Sequence, residues 1–123
     1  MMGYRSDVVL VVSKKAMSHF MVTVATVPEG LDFCFRGHDT MKKDYDGEEG
    51  AMLFHWSWVK WYDDYAGVAA VNSFLTKMGD LECEDFEEWG YEYRFVRMGE
   101  EIDDSELLGS GFGDVCISRE IQF

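Results

Sequence analysis

The side chains that could do covalent or metal chemistry are three histidines, His19, His38 and His55, and three cysteines, Cys34, Cys83 and Cys116, set among 24 acidic residues. Nucleophilic catalysis needs a Ser or Cys beside a base, and a zinc site needs ligands at short, repeated spacings. Neither pattern occurs. No histidine lies in a local motif with Ser, Cys or a second histidine, and neither a nucleophile elbow nor a zinc-protease spacing is found. An odd number of widely spaced cysteines fits neither a disulfide framework nor a zinc knuckle, so reduced thiols and no metal are expected. His55, amid aromatic residues, reads as a hydrogen-bonded residue at a sheet surface, His19 as helical and His38 as part of a loop. Residues 109–113 (Gly-Ser-Gly-Phe-Gly) could cradle a phosphate, but no helix start follows and Glu106 and Asp114 flank them with the wrong charge. Residues 44–49 hold a fragment of a calcium-loop pattern without its third acidic ligand or closing Glu. The expectation is a protein that is not an enzyme, with no catalytic residue and no cofactor.

The acids themselves are the remaining chemistry. The formal net charge is −13, and it is uneven: residues 1–43 hold four acids against six bases, whereas residues 44–123 hold twenty against five. A field of that sign repels nucleic-acid phosphates and anionic membranes and attracts basic protein surfaces. Direct nucleic-acid binding is therefore not expected, despite Lys14, Lys15, Lys42, Lys43, Arg94 and Arg97. The acids cluster at 44–49, 80–88 and 100–106. The ordinary reading of such clusters is a solvated surface that keeps a small protein in solution. What favours a docking surface is aromatic interleaving, because Phe86, Trp89, Tyr45 and Tyr62 sit beside carboxylates as apolar anchors within a charged rim. The expected protein-binding residues are Asp80, Glu82, Glu84, Asp85, Phe86, Glu87, Glu88 and Trp89, together with Glu100, Glu101, Asp103, Asp104 and Glu106.

The elements that must carry these residues follow from patterning. A hydrophobic content of 47% with 15% aromatics argues for a packed chain, here one domain over 1–123. No apolar run approaches the roughly 20 residues of a membrane span, and the N-terminal pattern is not that of a secretory signal, so the cytoplasm is the expected compartment. Residues 51–62 read as the central strand, with Met52, Phe54, Trp56 and Trp58 facing the core and Leu53, His55, Ser57, Val59 and Trp61 on the other face. Residues 4–12 read as an interior strand. Ser13 is placed to cap a helix with the stripe Met17, Phe20, Met21, Val24 and Val27, closed by Pro28 and Gly30. Residues 31–35 and 41–45 alternate as a hairpin leading onto the central strand. Asp63 or Asp64 would cap a helix with the stripe Val68, Val71, Leu75 and Met78, ending at Gly79. A short acidic turn over 81–89, a strand over 91–98, a long acidic connection over 100–114 and a last strand over 115–123 complete the chain. This order predicts an α+β, ferredoxin-like two-layer sandwich: an antiparallel sheet of four to five strands with two helices on one face. The open face would show His55, Ser57 and Trp61, covered either by the 100–114 loop or by a homodimer partner.

Residues 2–8 (Met-Gly-Tyr-Arg-Ser-Asp-Val), 58–62 (Trp-Val-Lys-Trp-Tyr) and 95–100 (Phe-Val-Arg-Met-Gly-Glu) together resemble small accessory proteins of tailed bacteriophages and prophages. Those proteins open with Gly-Tyr-Arg-Ser-acid-Val, and the similarity runs over most of the chain. No settled activity attaches to the group, so the resemblance implies a setting, the infected bacterium, rather than a mechanism. Charge and setting lead to one expectation: a DNA-mimicking inhibitor that occupies the basic nucleic-acid-binding surface of a host or defence protein. A CRISPR effector, which would make the chain an anti-CRISPR, a nuclease or a restriction system would fit. The alternative is a module that binds or sequesters a nucleotide or metabolite against the open sheet face, near His55, Trp61 and Arg97.

Overall fold

Residues 8–12 (Val-Val-Leu-Val-Val) are four β-branched side chains around one leucine, a sequence that favours extended backbone and has no polar face to give to water. In the computed structural model, which describes residues 4–101, 103–117 and 121–123, these residues lie within strand β1 (Ser6–Val12) and all five have no exposed surface. After β1 come helices α1 (Lys14–Val24) and α2 (Pro28–Phe35), strands β2 (Thr40–Lys43) and β3 (Met52–Val59), and helices α3 (Ala66–Glu84) and α4 (Phe86–Trp89). Strands β4 (Tyr93–Gly99), β5 (Ser105–Leu108), β6 (Cys116–Ile117) and β7 (Ile121–Gln122) follow. The main sheet has the order β2-β3-β1-β4-β5, antiparallel throughout. β3 separates β1 from β2, and β1 separates β3 from β4, which is the split βαβ arrangement of a ferredoxin-like sandwich with β5 added at one edge.

On one face, Val8, Leu10, Val12, Phe54, Trp56, Tyr93 and Phe95 pack against Phe20, Val24, Val71, Phe74 and Met78 of the helices. On the other, Val9, Val11, Leu53 and Val96 are covered by Phe112, Val115 and Ile121. The cover of the second face thus begins at the end of the expected 100–114 loop and is completed by the C-terminal residues. Residues expected to form a last strand of the main sheet instead make a separate hairpin, β6 with β7. Arg94 holds this segment down: its Nε donates to the Val115 carbonyl at 3.0 Å and its Nη1 to the Gly109 carbonyl at 2.7 Å. Ser118, Arg119 and Glu120, within the expected last strand, lie outside the described residues.

Other differences have local causes. Ser13 caps α1 as expected, its Oγ accepting from the Ala16 N–H at 3.2 Å. Pro28 does not close that helix but opens α2, since a residue without an N–H and with helical φ is well suited to a first turn. Residues 31–35, expected as a strand, are therefore helical. Trp58 is half exposed rather than in the core, with a left-handed φ of 50°. The β1–β3 register slips there, with Ser6 opposite Val59 but Val8 opposite Trp56, so β3 carries one extra residue. That bulge reverses the alternation beyond it and turns Val59 and Trp61 to the helix face. Residues 105–108, expected within a connection, pair with β4 as β5. α3 starts after Tyr65, while Asp63 accepts from Asn72 Nδ2 at 3.2 Å, and the helix continues past Gly79 to Glu84.

Gly79 is helical with open space where a Cβ would sit, whereas a Cβ on Gly30 would strike the Val24 carbonyl and lie 2.9 Å from Ala70 Cβ. Gly79→Ala should therefore stabilise the chain by about 0.5–1 kcal/mol, raising the melting temperature by a few degrees. Gly30→Ala should lower it, because α2 could no longer approach α1 and α3 so closely. Thermal and urea unfolding of the two variants checks both signs.

Candidate functional site

Two acidic regions expected to act together lie at opposite ends of the sheet. α3 delivers Asp80 to Glu84 to the end where β4 begins, and β4, seven residues long, carries the chain about 20 Å away before Glu100. At the first end, Asp80 and Glu84 share one helix face at four-residue spacing. Both are exposed, as is Glu87, and none of the three has a hydrogen bond or ion pair among the described residues. The neighbouring acids do structural work. Glu82 accepts the Tyr93 hydroxyl, and Asp85 caps α4 by accepting from the Glu88 N–H at 3.1 Å. Glu88 sits 3.6 Å from Lys15 Nζ, which also donates to the Glu88 carbonyl and lies 4.6 Å over the Trp89 ring. Trp89 is thereby part of the fold, packed edge-on with His19 and against the core, rather than an outward anchor. The exposed aromatic pair is Phe86 with Tyr91, at 5.2 Å and 46% and 53% exposed. Sequence reading missed Tyr91 as a surface group because alternation placed it inside the strand, which begins two residues later.

At the second end, the mostly buried Arg97 guanidinium organises the turn after β4. Its Nη2 donates to Asp104 Oδ1 at 2.6 Å and to Glu106 Oε1 at 3.2 Å, and its Nη1 to Asp104 Oδ2 at 3.1 Å and Ser6 Oγ at 3.0 Å. The Tyr4 hydroxyl donates to Asp104 Oδ2 at 2.7 Å and accepts from the Glu101 N–H at 2.9 Å. Hydrogen bonds from Arg97 and Tyr4 hold the Asp104 carboxyl down at about 2. Desolvation, then the carboxylate beside it, raises the Tyr4 hydroxyl, and the same carboxylate raises Arg97 further. Asp104 and Glu106 therefore fix a turn, while Glu100, Glu101 and Asp103 are exposed with no side-chain partner among the described residues. Beside this network lies a cleft of about 470 Å³ lined by Tyr4, Ser6, Trp61, Tyr62, Asp63, Asn72, Arg97, Asp104 and Glu106.

His55, Trp61 and Arg97 do not converge on one sheet face. His55 Nε2 lies 2.7 Å from Asp7 Oδ1 on the hairpin side, with its ring 4.8 Å from that of Phe123. Trp61 packs on the helix side, 5.5 Å from Trp56 and 5.6 Å from Phe33. Only Trp61 and Arg97 share the cleft. The three thiols are free. Cys34 is buried, which pushes its thiol up to about 12, far from the range of a nucleophile. Among the described residues no group of three or more His, Cys, Asp or Glu is placed to hold a metal ion, and no helix is long and apolar enough to cross a membrane. Comparison with known proteins finds no matching family model, no matching curated protein and no matching solved structure.

The Asp104 network makes a signed prediction. Its folded carboxyl is depressed from 3.8 to about 2, so its contribution is complete above the unfolded value and is lost as pH falls through the folded one. Asp104→Asn should be less stable than the parent at neutral pH, and its stability should fall less between about pH 4 and pH 2. Urea midpoints across that range read the difference.

Proposed function

We propose that the chain is a phage-encoded, non-enzymatic acidic protein that docks on the basic nucleic-acid-binding surface of a host or anti-phage defence protein in the bacterial cytoplasm and blocks it. One observation carries this reading: Asp80, Glu84, Glu87, Glu100, Glu101 and Asp103 are all exposed and unneutralised by the chain's own bases among the described residues. Two arginines of the same part of the chain are occupied elsewhere, Arg94 by backbone carbonyls and Arg97 by Asp104 and Glu106. The Phe86–Tyr91 pair beside Glu87 supplies apolar area next to the charge, the arrangement in which a few aromatic anchors dominate binding energy. The phage setting is supported by the resemblance at residues 2–8, 58–62 and 95–100. A CRISPR effector, a nuclease or a restriction enzyme has the required basic surface.

A second reading, a small-molecule module, is favoured by the cleft at Tyr4, Trp61 and Arg97 rather than by the sheet face near His55. Only this reading predicts that a small metabolite or nucleotide raises the melting temperature in step with its concentration.

Charge reversal at Asp80, Glu84 and Glu87 together avoids the capping Asp85 and the Lys15-bound Glu88, so each change should move stability by no more than about 0.5 kcal/mol. The parent should capture a nucleic-acid-binding protein from host lysate at low salt, with a yield that falls as salt rises, and the triple variant should lose most of it. Capture that ignores both salt and the substitutions overturns the proposal. Phe86→Ala should weaken the captured complex by about fivefold or more.

A further inference from the structure

The outer edge of β5 has no neighbouring strand among the described residues, and all four of its residues are exposed, Leu107 at 47% and Leu108 at 40%. Its register shows which backbone groups are unused. The Gly99 N–H donates to the Asp104 carbonyl at 2.7 Å, and Arg97 pairs with Glu106 and Phe95 with Leu108. Hydrogen-bonded and non-bonded pairs alternate along an antiparallel ladder, so the N–H and C=O of Ser105 and Leu107 point away from β4. Leu108 lies opposite Phe95 on the helix face, and Leu107 opposite Val96 on the hairpin face. A strand laid along this edge would therefore satisfy both residues' backbone groups and cover a leucine on each face.

The two sheet edges are guarded differently. β2 carries Lys42 and Lys43, and lysine is a common guard against strand addition. β5 has neither lysine nor proline, and its one charge, Glu106, is drawn to Arg97 at 3.2 Å. Glu100, Glu101 and Asp103 stand exposed just ahead of the strand. We propose that the β5 edge accepts an extended, basic segment of a partner protein as a sixth strand, apolar residues lying against Leu107 and Leu108 and lysine or arginine facing these acids. Charge selects this occupant over a second copy, because two chains of net charge −13 would bring the same acids together. The inference rests on the basic-partner reading above and adds a second point of contact, at the other end of the sheet from Asp80, Glu84 and Glu87.

The test uses the full chain, labelled for amide hydrogen exchange, and two synthetic peptides with a central run of valines, which offers an apolar side chain to each face, flanked by lysines, one of them N-methylated along one edge so that it keeps its charge but cannot pair. The unmodified peptide should slow exchange at Ser105 and Leu107 by about tenfold or more, and the methylated one should not. Leu107→Pro, which gives up an N–H directed outward, should lose about tenfold in affinity for the unmodified peptide. If that variant does not fold, the methylated peptide decides. Binding of both peptides without protection at either amide overturns the edge while leaving the charge reading intact. Failure of both peptides to bind at low salt overturns both. Protection that grows with protein concentration in the absence of peptide assigns the edge to a second copy and overturns the basic-segment proposal.

Discussion

The constraint on which this molecule depends is that β1 cannot present either face to water. Val8, Val9, Leu10, Val11 and Val12 are all fully buried, and at roughly 1.5–3 kcal/mol each their burial is comparable to the whole net stability of an ordinary domain. A sheet built around such a strand needs cover on both sides. The helices supply one cover, and a ferredoxin-like sandwich would end there. Here the chain continues past β4 and β5 and lays Phe112, Val115 and Ile121 over Val9, Val11, Leu53 and Val96. The second cover makes burial of the open face against another subunit unnecessary for the strand's own sake.

Two arginines of β4 do complementary work on its two sides. Arg94 faces the hairpin and binds the carbonyls of Gly109 and Val115, fastening the second cover. Arg97 faces the helices and binds Ser6, Asp104 and Glu106, fastening the turn that leads into β5. Both cations are thus committed to the fold in the half of the chain richest in acid. The outward surface near them is left to carboxylates, and the imbalance visible in the sequence persists in the folded molecule for that reason.

Legibility followed the range of the interactions. β1, β3 and β4 could be read from runs of β-branched and aromatic residues, and α1 from Ser13 and the apolar spacing behind it, because these signals are local. Pro28 was ambiguous in isolation, since proline is suited equally to ending one helix and opening the next. The bulge at Trp58 left no mark in composition, yet it moved Trp61 to the other face and with it the ligand site expected beside His55. Gly79 looked like a stop but lies within α3, where Leu81 and the core beneath it sustain the helix. For the acids, the sequence showed how many there are but not which ones are occupied. Glu88 meets Lys15 from the far end of the chain, and Asp104 and Glu106 meet Arg97 only because β4 and β5 pair.

The central position of β1 also bears on how the chain comes to be folded. Val9 precedes His55, its neighbour on one side, by 46 residues and Val96, its neighbour on the other, by 87. At ribosomal speeds of about 5–20 residues per second, the most apolar segment emerges on the order of ten seconds before its last partner has been made. Through that interval a short, uncharged, β-branched run is open to the same segment of a neighbouring nascent chain. Output from a strongly expressed gene would then be limited less by the stability of the finished molecule than by how long chaperones can shield β1.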